Sequence, residues 1–359
     1  MKNRKNFYGL LILLALVAAT VYYLLRNNEL DDLLQIIAQA DPLYLLAGLL
    51  LMLLFVSSEG WGLHGLLASL GYKLSAWKCL KYSFLGFYYC SITPSSSGGQ
   101  PAQVYYMSKD GVSVGDSSLC IMTITVSYEA GMLLICLFML FARYSFLMDN
   151  LGVVKYFSLF GAVINAVLLS VFVASAFHVR FMKKIVTAVL RLLSRVKLIK
   201  NLDRATDTVN TQLEKYGQGA ALLVKKPAAL LRTLALIMVQ ILSRLSVAAV
   251  VYLAFHLRGY GFLDILSLEA FLALGIECLP LPGSVGVAEA GFVEVNRKIF
   301  GSQNLLPAAL LTRGISFYAF LLISGVVSIL AHLSLAYRRP EAETVTVPPG
   351  STRDGATQR

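Results

Sequence analysis

The chain has 359 residues, 57% hydrophobic and 14% charged, with a formal net charge of +11. A soluble domain of this size could not hide that much apolar surface, so the composition places the chain in a membrane and excludes a soluble enzyme or a nucleic-acid-binding fold. Five scattered cysteines and four histidines, none at metal-ligand spacing, exclude a disulfide framework and call for no metal and no cofactor.

In chain order, Phe7 to Leu25 is a first apolar span preceded by Lys2, Arg4 and Lys5, and its length favours a retained helix over a cleaved signal. A second span runs from Pro42 to Ala68, followed by Lys73, Lys78 and Lys81. The positive-inside rule makes the N-terminus and this lysine loop cytoplasmic. Leu80–Thr93 and Ala102–Met107 are too short to span, with Lys81 before and Lys109 after, and predict a re-entrant hairpin (79–108) entered from the cytoplasm. Ser117–Phe141 and Val153–Phe177 are full spans.

Residues 178–226 hold eleven Lys/Arg against three Asp/Glu. Phe181, Ile185, Val189, Leu192 and Val196 recur at helical spacing opposite Lys183, Lys184, Arg191 and Arg195, the pattern of basic amphipathic helices lying on the anionic lipids of the inner leaflet. Ala228–Leu257 is a long span, Ile265–Leu281 and Val285–Phe300 form a second hairpin (265–300) entered from outside, and Leu305–Leu335 returns to Arg338 and Arg339. The polar tail at 338–359 reads as disordered.

The fold class is therefore an all-α polytopic membrane protein, with six full transmembrane helices and two re-entrant hairpins in an inverted-topology repeat. Residues 1–177 make the first membrane half, span four already opening the second repeat, and 227–337 complete the second half. Both termini are cytoplasmic, in a bacterial-type plasma membrane.

The two breaks are the main functional signal. The first is Thr93-Pro94-Ser95-Ser96-Ser97-Gly98-Gly99-Gln100-Pro101 and the second is Leu279-Pro280-Leu281-Pro282-Gly283-Ser284-Val285-Gly286. Lipid tolerates irregular backbone only where it faces protein or a water-filled cavity, and interrupted segments at matching places in two halves point to a transporter's substrate site. Ser95, Ser96, Ser97, Gly98, Gly99 and Gln100, with Pro101 set to start a helix, suit a phosphate at a helix N-terminus. A serine-capped turn is the plainer alternative. No Walker lysine follows.

Intramembrane charges each cost about 2.5–3.5 kcal/mol on insertion scales and are functional hypotheses by default. Glu59, Glu129, Arg244 and Arg313 fall inside spans. Glu129 is 31 residues after Gly98 and Arg313 is 30 after Gly283; Glu59 is 35 before Pro94 and Arg244 is 38 before Pro282. This matched spacing predicts a polar pathway in which Arg244 and Arg313 bind an anionic group. The competing explanation is internal ion pairs that only hold helices together. Glu277 and Glu289, on either side of the second break, would bind a cationic headgroup or carry protons. Glu269 and Tyr128 read as ordinary helix residues, and Gly161 as a glycine that tolerates substitution.

The stretch from Thr93 to Gln103 resembles the first signature of the lysylphosphatidylglycerol synthase transmembrane family, the flippase-like membrane region of the multiple peptide resistance factor. Pro282-Gly283-Ser284-Val285-Gly286-Val287-Ala288-Glu289 resembles its second, with Ser284 where a second glycine is usual. Arg313 with Phe317-Tyr318 resembles the arginine-aromatic pattern of its last span. The resemblance covers residues 7–335. It implies translocation of an anionic or aminoacylated phospholipid, such as lysyl-phosphatidylglycerol, between leaflets. It also implies hairpin tips that shield the headgroup near the midplane. The family's name further suggests a phosphatidylglycerol lysyltransferase, although the chain has no room for the cytosolic transferase domain of the larger members. A membrane-embedded lipid-modifying transferase, or an anchor for a separate lipid-modifying enzyme, stays open beside translocation.

Overall fold

The computed structural model describes residues 35–177, 202–277, 279 and 281–337. The predicted first span, the amphipathic stretch from Phe181 to Val196 and the C-terminal tail lie outside them. The described residues form helices and contain no strand.

Helix α1 (Pro42–Ser69) starts at a proline under Asp41, whose carboxylate accepts from the Leu43 N–H at 2.9 Å. Asp at the N-cap and Pro at the first helical position are the favoured pair there. Helix α2 (Ala76–Ile92) leads into the first break, a single 3₁₀ turn at Pro94–Ser96. Helix α3 (Gly99–Lys109) leads out of it. Helix α4 (Val114–Ala142) is capped by Ser113, and a short α5 (Tyr144–Asn150), not foreseen in the sequence, connects it to α6 (Val154–Phe177).

Helix α7 (Leu202–Val224) is the described part of the basic region. It docks on the start of α4, where the Gln212 side chain accepts from the Gly115 N–H at 3.0 Å and Tyr216 is buried. The second half repeats the order of the first. Helix α8 (Pro227–Ala254) again begins with proline, α9 (Phe262–Ile276) leads into a 3₁₀ turn at Pro282–Ser284, and α10 (Val287–Arg313) leads out. Gly301, at φ 67° and ψ 166°, breaks α10 into two arms, close to the predicted boundary between hairpin and last span. A π-helical segment, Gly314–Ala319, then joins α10 to α11 (Phe320–Tyr337).

Among the described residues, five stretches are long and apolar enough to cross a membrane: Pro42–Ser69, Val114–Ala142, Val154–Val171, Pro227–Ala254 and Pro282–Leu335. By contrast α2, α3 and α9, with 17, 11 and 15 residues, rise only about 26, 17 and 23 Å at 1.5 Å per residue. Leu50, Phe138, Val163 and Leu322 are exposed on the outer helix faces, as a lipid-facing surface requires.

Helices α1 and α8 pack along their lengths at the centre, while α2 and α3 lie to one side and α9 lies against α6. The two 3₁₀ turns touch each other. A small apolar cluster of Ile92, Val285 and Phe317 seals the place where they meet. Gly161 corrects one expectation. A β-carbon there would run into the Leu274 carbonyl of α9, so this glycine permits the close approach of α6 and α9 and is not a tolerant position.

Candidate functional site

A cavity of about 610 Å³ opens between the two breaks and the central helices. Among the predicted site residues it is lined by Ser95, Ser96, Ser97 and Gln100 of the first break and by Gly283 and Ser284 of the second. Glu59, Glu129, Arg244, Glu277 and Arg313 also face it. Gly98, Gly99, Pro282, Gly286 and Glu289 do not line it; they sit behind the wall and shape it.

The turns have the same construction. In each, a proline is followed by two residues in the left-handed region: Ser95 and Ser96 at φ 51° and 52°, Gly283 and Ser284 at 58° and 52°. Ser284, which replaces the glycine usual there, thus adopts a conformation that serines rarely hold. The next element in each half is capped by a glycine, Gly98 before α3 and Gly286 before α10. Gly286, not Gly283, is therefore the counterpart of Gly98, and this corrects the spacing argument. Counted from these caps, Arg313 stands where Thr125 stands, not Glu129. The contacts agree: Gln100 donates to Thr125 Oγ1 at 3.0 Å, and Arg313 donates to Glu289 at 2.9 Å. In each half the arm after the break is tied to the following long helix at this point. In the first half the tie is neutral and in the second it is ionic.

Glu289 is 2% exposed and fully engaged. One carboxylate oxygen accepts from Arg313 Nε at 2.9 Å and from the Tyr318 hydroxyl at 3.1 Å; the other accepts from the Gly286 N–H at 2.7 Å. Arg313 also donates to the Gly283 carbonyl at 2.9 Å and lies over the Phe317 ring at 4.6 Å. This constellation clasps the second break to the last helix. The π-helical segment directly after Arg313 places both aromatic rings beside the guanidinium, as π-bulges at functional sites often do.

Arg244 is held differently. One terminal nitrogen reaches Glu277 and donates to the Tyr128 hydroxyl at 3.1 Å, and that hydroxyl lies 3.1 Å from Glu277. Its Nε is buried without a partner among the described residues. Arg244 and Glu59 are each the eighteenth residue of a 28-residue helix that starts with proline. The expected matching of these two residues across the halves is thus a matching of helix position.

Several participants were not legible beforehand. Tyr128 and Glu269, read as ordinary helix residues, both line the cavity. Glu59 accepts from Gln103 at 2.6 Å and from Gln240 at 3.0 Å, and Glu269 accepts from Asn296 at 2.8 Å. Asn165 hydrogen-bonds Glu129. Buried amides in apolar helices are the signal that would have found them, because lipid makes an unpaired amide costly. Among the described residues, no three His, Cys, Asp or Glu side chains gather to hold a metal.

The family described as the lysylphosphatidylglycerol synthase TM region matches residues 7–324. The chain belongs to this family. It is a multi-pass membrane protein of the lysylphosphatidylglycerol synthase TM kind, and that family sets its context as membrane lipid chemistry. It is also similar to a UPF0104 membrane protein of Archaeoglobus fulgidus, at 33% identity over 116 residues. That match covers 32% of this chain and 34% of the relative, so it spans about a third of the relative's length.

Proposed function

We propose that the protein moves the headgroup of a phospholipid between leaflets through the cavity between the two breaks, while the acyl tails stay in the surrounding lipid. The observation that carries this is the meeting of the two 3₁₀ turns over a cavity lined by intramembrane arginines and glutamates. Polar, irregular backbone at membrane depth needs a water-filled or substrate-filled space beside it. In this reading α2 with α3, and α9 with the first arm of α10, are re-entrant hairpins entering from opposite sides. With the span predicted at 7–25, the five long stretches make six, both termini are cytoplasmic, and the compartment is a bacterial-type plasma membrane.

Arg244 takes the phosphate. It faces the cavity, and its buried Nε can still donate. Arg313, tied to Glu289 and Gly283, positions the second break. Glu59, Glu129 and Glu269 have no arginine or lysine within salt-bridge distance among the described residues. A cavity with this surplus of acid suits a headgroup that carries an ammonium beside its phosphate, an aminoacylated or zwitterionic lipid, better than a bare phosphate.

The test uses purified protein in liposomes containing acyl-labelled phosphatidylglycerol or its lysyl ester. A membrane-impermeant quencher is added from outside. Translocation makes more than the outer half of the label accessible, and Arg244→Ala removes that gain. Label accessibility unchanged by the wild-type protein for either lipid overturns the reading. Formation of a new lipid species instead would assign the site to a transferase.

A further inference from the structure

Three buried amides share one unusual arrangement. Gln240, Asn165 and Asn296 are 3%, 7% and 0% exposed, and the carbonyl oxygen of each has no partner among the described residues. Each also bonds a glutamate that lines the cavity: Glu59, Glu129 and Glu269 respectively. Since a carboxylate can only accept, the glutamate fixes which end of the amide faces it. The orphaned oxygen sits on the same planar amide group as the nitrogen that meets the carboxyl. A buried acceptor left unpaired is costly, because it has given up its hydrogen bonds to water. Three such acceptors beside three acids call for a shared explanation, and a carboxylic acid supplies it. Once protonated, the carboxyl gains an O–H donor, and the amide oxygen next to it is the acceptor that donor needs.

We infer that Glu59 is a proton-binding site coupled to the first hairpin, its O–H donated to Gln240 Oε1 to close a two-bond acid–amide pair. This rests on the translocation reading for its purpose but not for its chemistry. Gln240 Nε2 donates to Glu59 Oε2 at 3.0 Å, so the proton belongs on Oε1. Uptake forms one O–H bond on the carboxyl and breaks one in a hydronium ion of the cavity water, leaving water; release reverses both changes. Oε1 also accepts from Gln103 Nε2 at 2.6 Å, which a hydroxyl oxygen can still do.

Glu59 is favoured over the other two acids by its neighbours. Its hydrogen-bond partners are Gln103 of α3, Gln240 of α8 and Ser83 of α2, all neutral. Cys90 of α2 is a titratable group that faces it. The other titratable or charged groups lining the cavity are Tyr128 and Glu129 of α4, Arg244 of α8, Glu269 and Glu277 of α9, and Arg313 of α10. Arg244 is engaged by Glu277 and Arg313 by Glu289. By contrast Glu129 stands near Glu277, and Glu269 stands near both arginines.

Coupling follows from Gln103. This residue lies on the arm after the first break, fills the space left by Gly86, and also donates to the Tyr82 carbonyl at 3.2 Å. When Glu59 is ionised, the Gln103 bond is charge-assisted and roughly twice as strong as its neutral form. Deprotonation therefore tightens the first hairpin on α1, and protonation loosens it.

Two measurements on full-length protein test this. The first is infrared difference spectroscopy across a pH titration in lipid, which reads the C=O stretch of protonated carboxyls. The wild type shows a titrating band that is missing in Glu59→Gln and shifted in Gln240→Leu. A spectrum unchanged by Glu59→Gln overturns the proton site, whether or not lipid moves. The second is lipid distribution in liposomes holding a pH gradient. With one proton per lipid, one pH unit sustains about a tenfold asymmetry of labelled lipid. In Glu59→Gln, which mimics the protonated acid, the pH gradient sustains no asymmetry. Full gradient-driven asymmetry in Glu59→Gln, or asymmetry that follows a sodium gradient instead, overturns the coupling. A wild type that moves no lipid while keeping the Glu59 band would sink translocation alone.

Discussion

Glu59 and Arg244 occupy the same position, the eighteenth residue, in two proline-started helices that pack against each other through the centre of the protein. One half of the repeat places an acid at this point and the other a base. The acid is surrounded by neutral amides, and the base has recruited Glu277 and Tyr128. The two helices therefore share one position and carry two chemistries there, facing a single cavity.

The Arg244 pair should behave as a unit. Arg244→Ala leaves Glu277 facing the cavity without its cation, and the expected loss is about 1–3 kcal/mol of stability together with translocation. Arg244→Lys should keep part of both, because an ammonium lacks the planar fork that reaches phosphate and carboxylate together. The double variant Arg244→Ala/Glu277→Ala should melt above Arg244→Ala alone in detergent, yet remain inactive. Equal melting of the single and double variants would show that the pair is not energetically linked.

Arg313 should act on the second break and not on headgroup binding. Glu289 is buried against it, so Arg313→Ala strands an acid at a cost of about 3–5 kcal/mol. The remaining ties to Tyr318 and Gly286 are hydrogen bonds worth about 1 kcal/mol each, so Tyr318→Phe should be mild. A double-mutant cycle between Arg313→Ala and Glu289→Gln, read by thermal unfolding, should give a coupling well above 1 kcal/mol. In the same cycle the lipid concentration for half-maximal transport should move little among the variants that fold. A large shift of that concentration in Tyr318→Phe would place the clasp in contact with substrate.

Much of this arrangement was legible in the sequence. The breaks, the short arms beside them and the intramembrane charges stand out because lipid penalises each of them, and the matching of Glu59 with Arg244 survived as a matching of helix position. The pairing of Glu129 with Arg313 did not. It was counted from Gly283, whereas the glycine that caps the following arm is Gly286. Cap identity depends on backbone geometry that composition does not display. The neutral partners Gln103, Gln240, Asn165 and Asn296 carry no charge to mark them. Gly161 looked like a filler because tightness depends on which helix faces it, and nothing in the sequence of α6 names α9.

The glycines of the breaks give a steric prediction with a built-in control. A β-carbon at Gly99 would meet Cys90 Sγ and the Gly86 carbonyl, and one at Gly283 would meet the Phe317 ring at a residue already at φ 58°. Gly99→Ala and Gly283→Ala should insert into the membrane but translocate poorly. Adding Cys90→Ala should rescue Gly99→Ala in part, since the sulfur is the movable obstacle and the Gly86 carbonyl is not. Gly65→Ala on α1, where no atom lies within 4 Å of the new methyl, should be silent, and Gly161→Ala should be as harmful as the hairpin changes. Failure of Cys90→Ala to restore any activity would place the damage in the backbone of the turn.

Topology supplies the last prediction. Lys109 ends α3 under a half-exposed Tyr105 ring at 5.6 Å, and Lys298 lies in the first arm of α10, donating to the Asp149 carbonyl at 3.0 Å. If the hairpins enter from opposite sides, these two lysines mark opposite faces of the membrane. Single cysteines at the two positions, in a background with all five native cysteines replaced, should react with impermeant maleimide from opposite sides of oriented vesicles. Lys298→Cys should label from outside intact cells, and Lys109→Cys only after the membrane is opened. The Lys298 hydrogen bond goes to a backbone carbonyl at the end of α5, so its loss should cost about 1 kcal/mol and leave the fold intact. Labelling of both positions from the same side, at equal protein abundance, would mean that the hairpins share one entrance. The two halves would then be parallel and not inverted, and the cavity would have to open to both leaflets by a different motion.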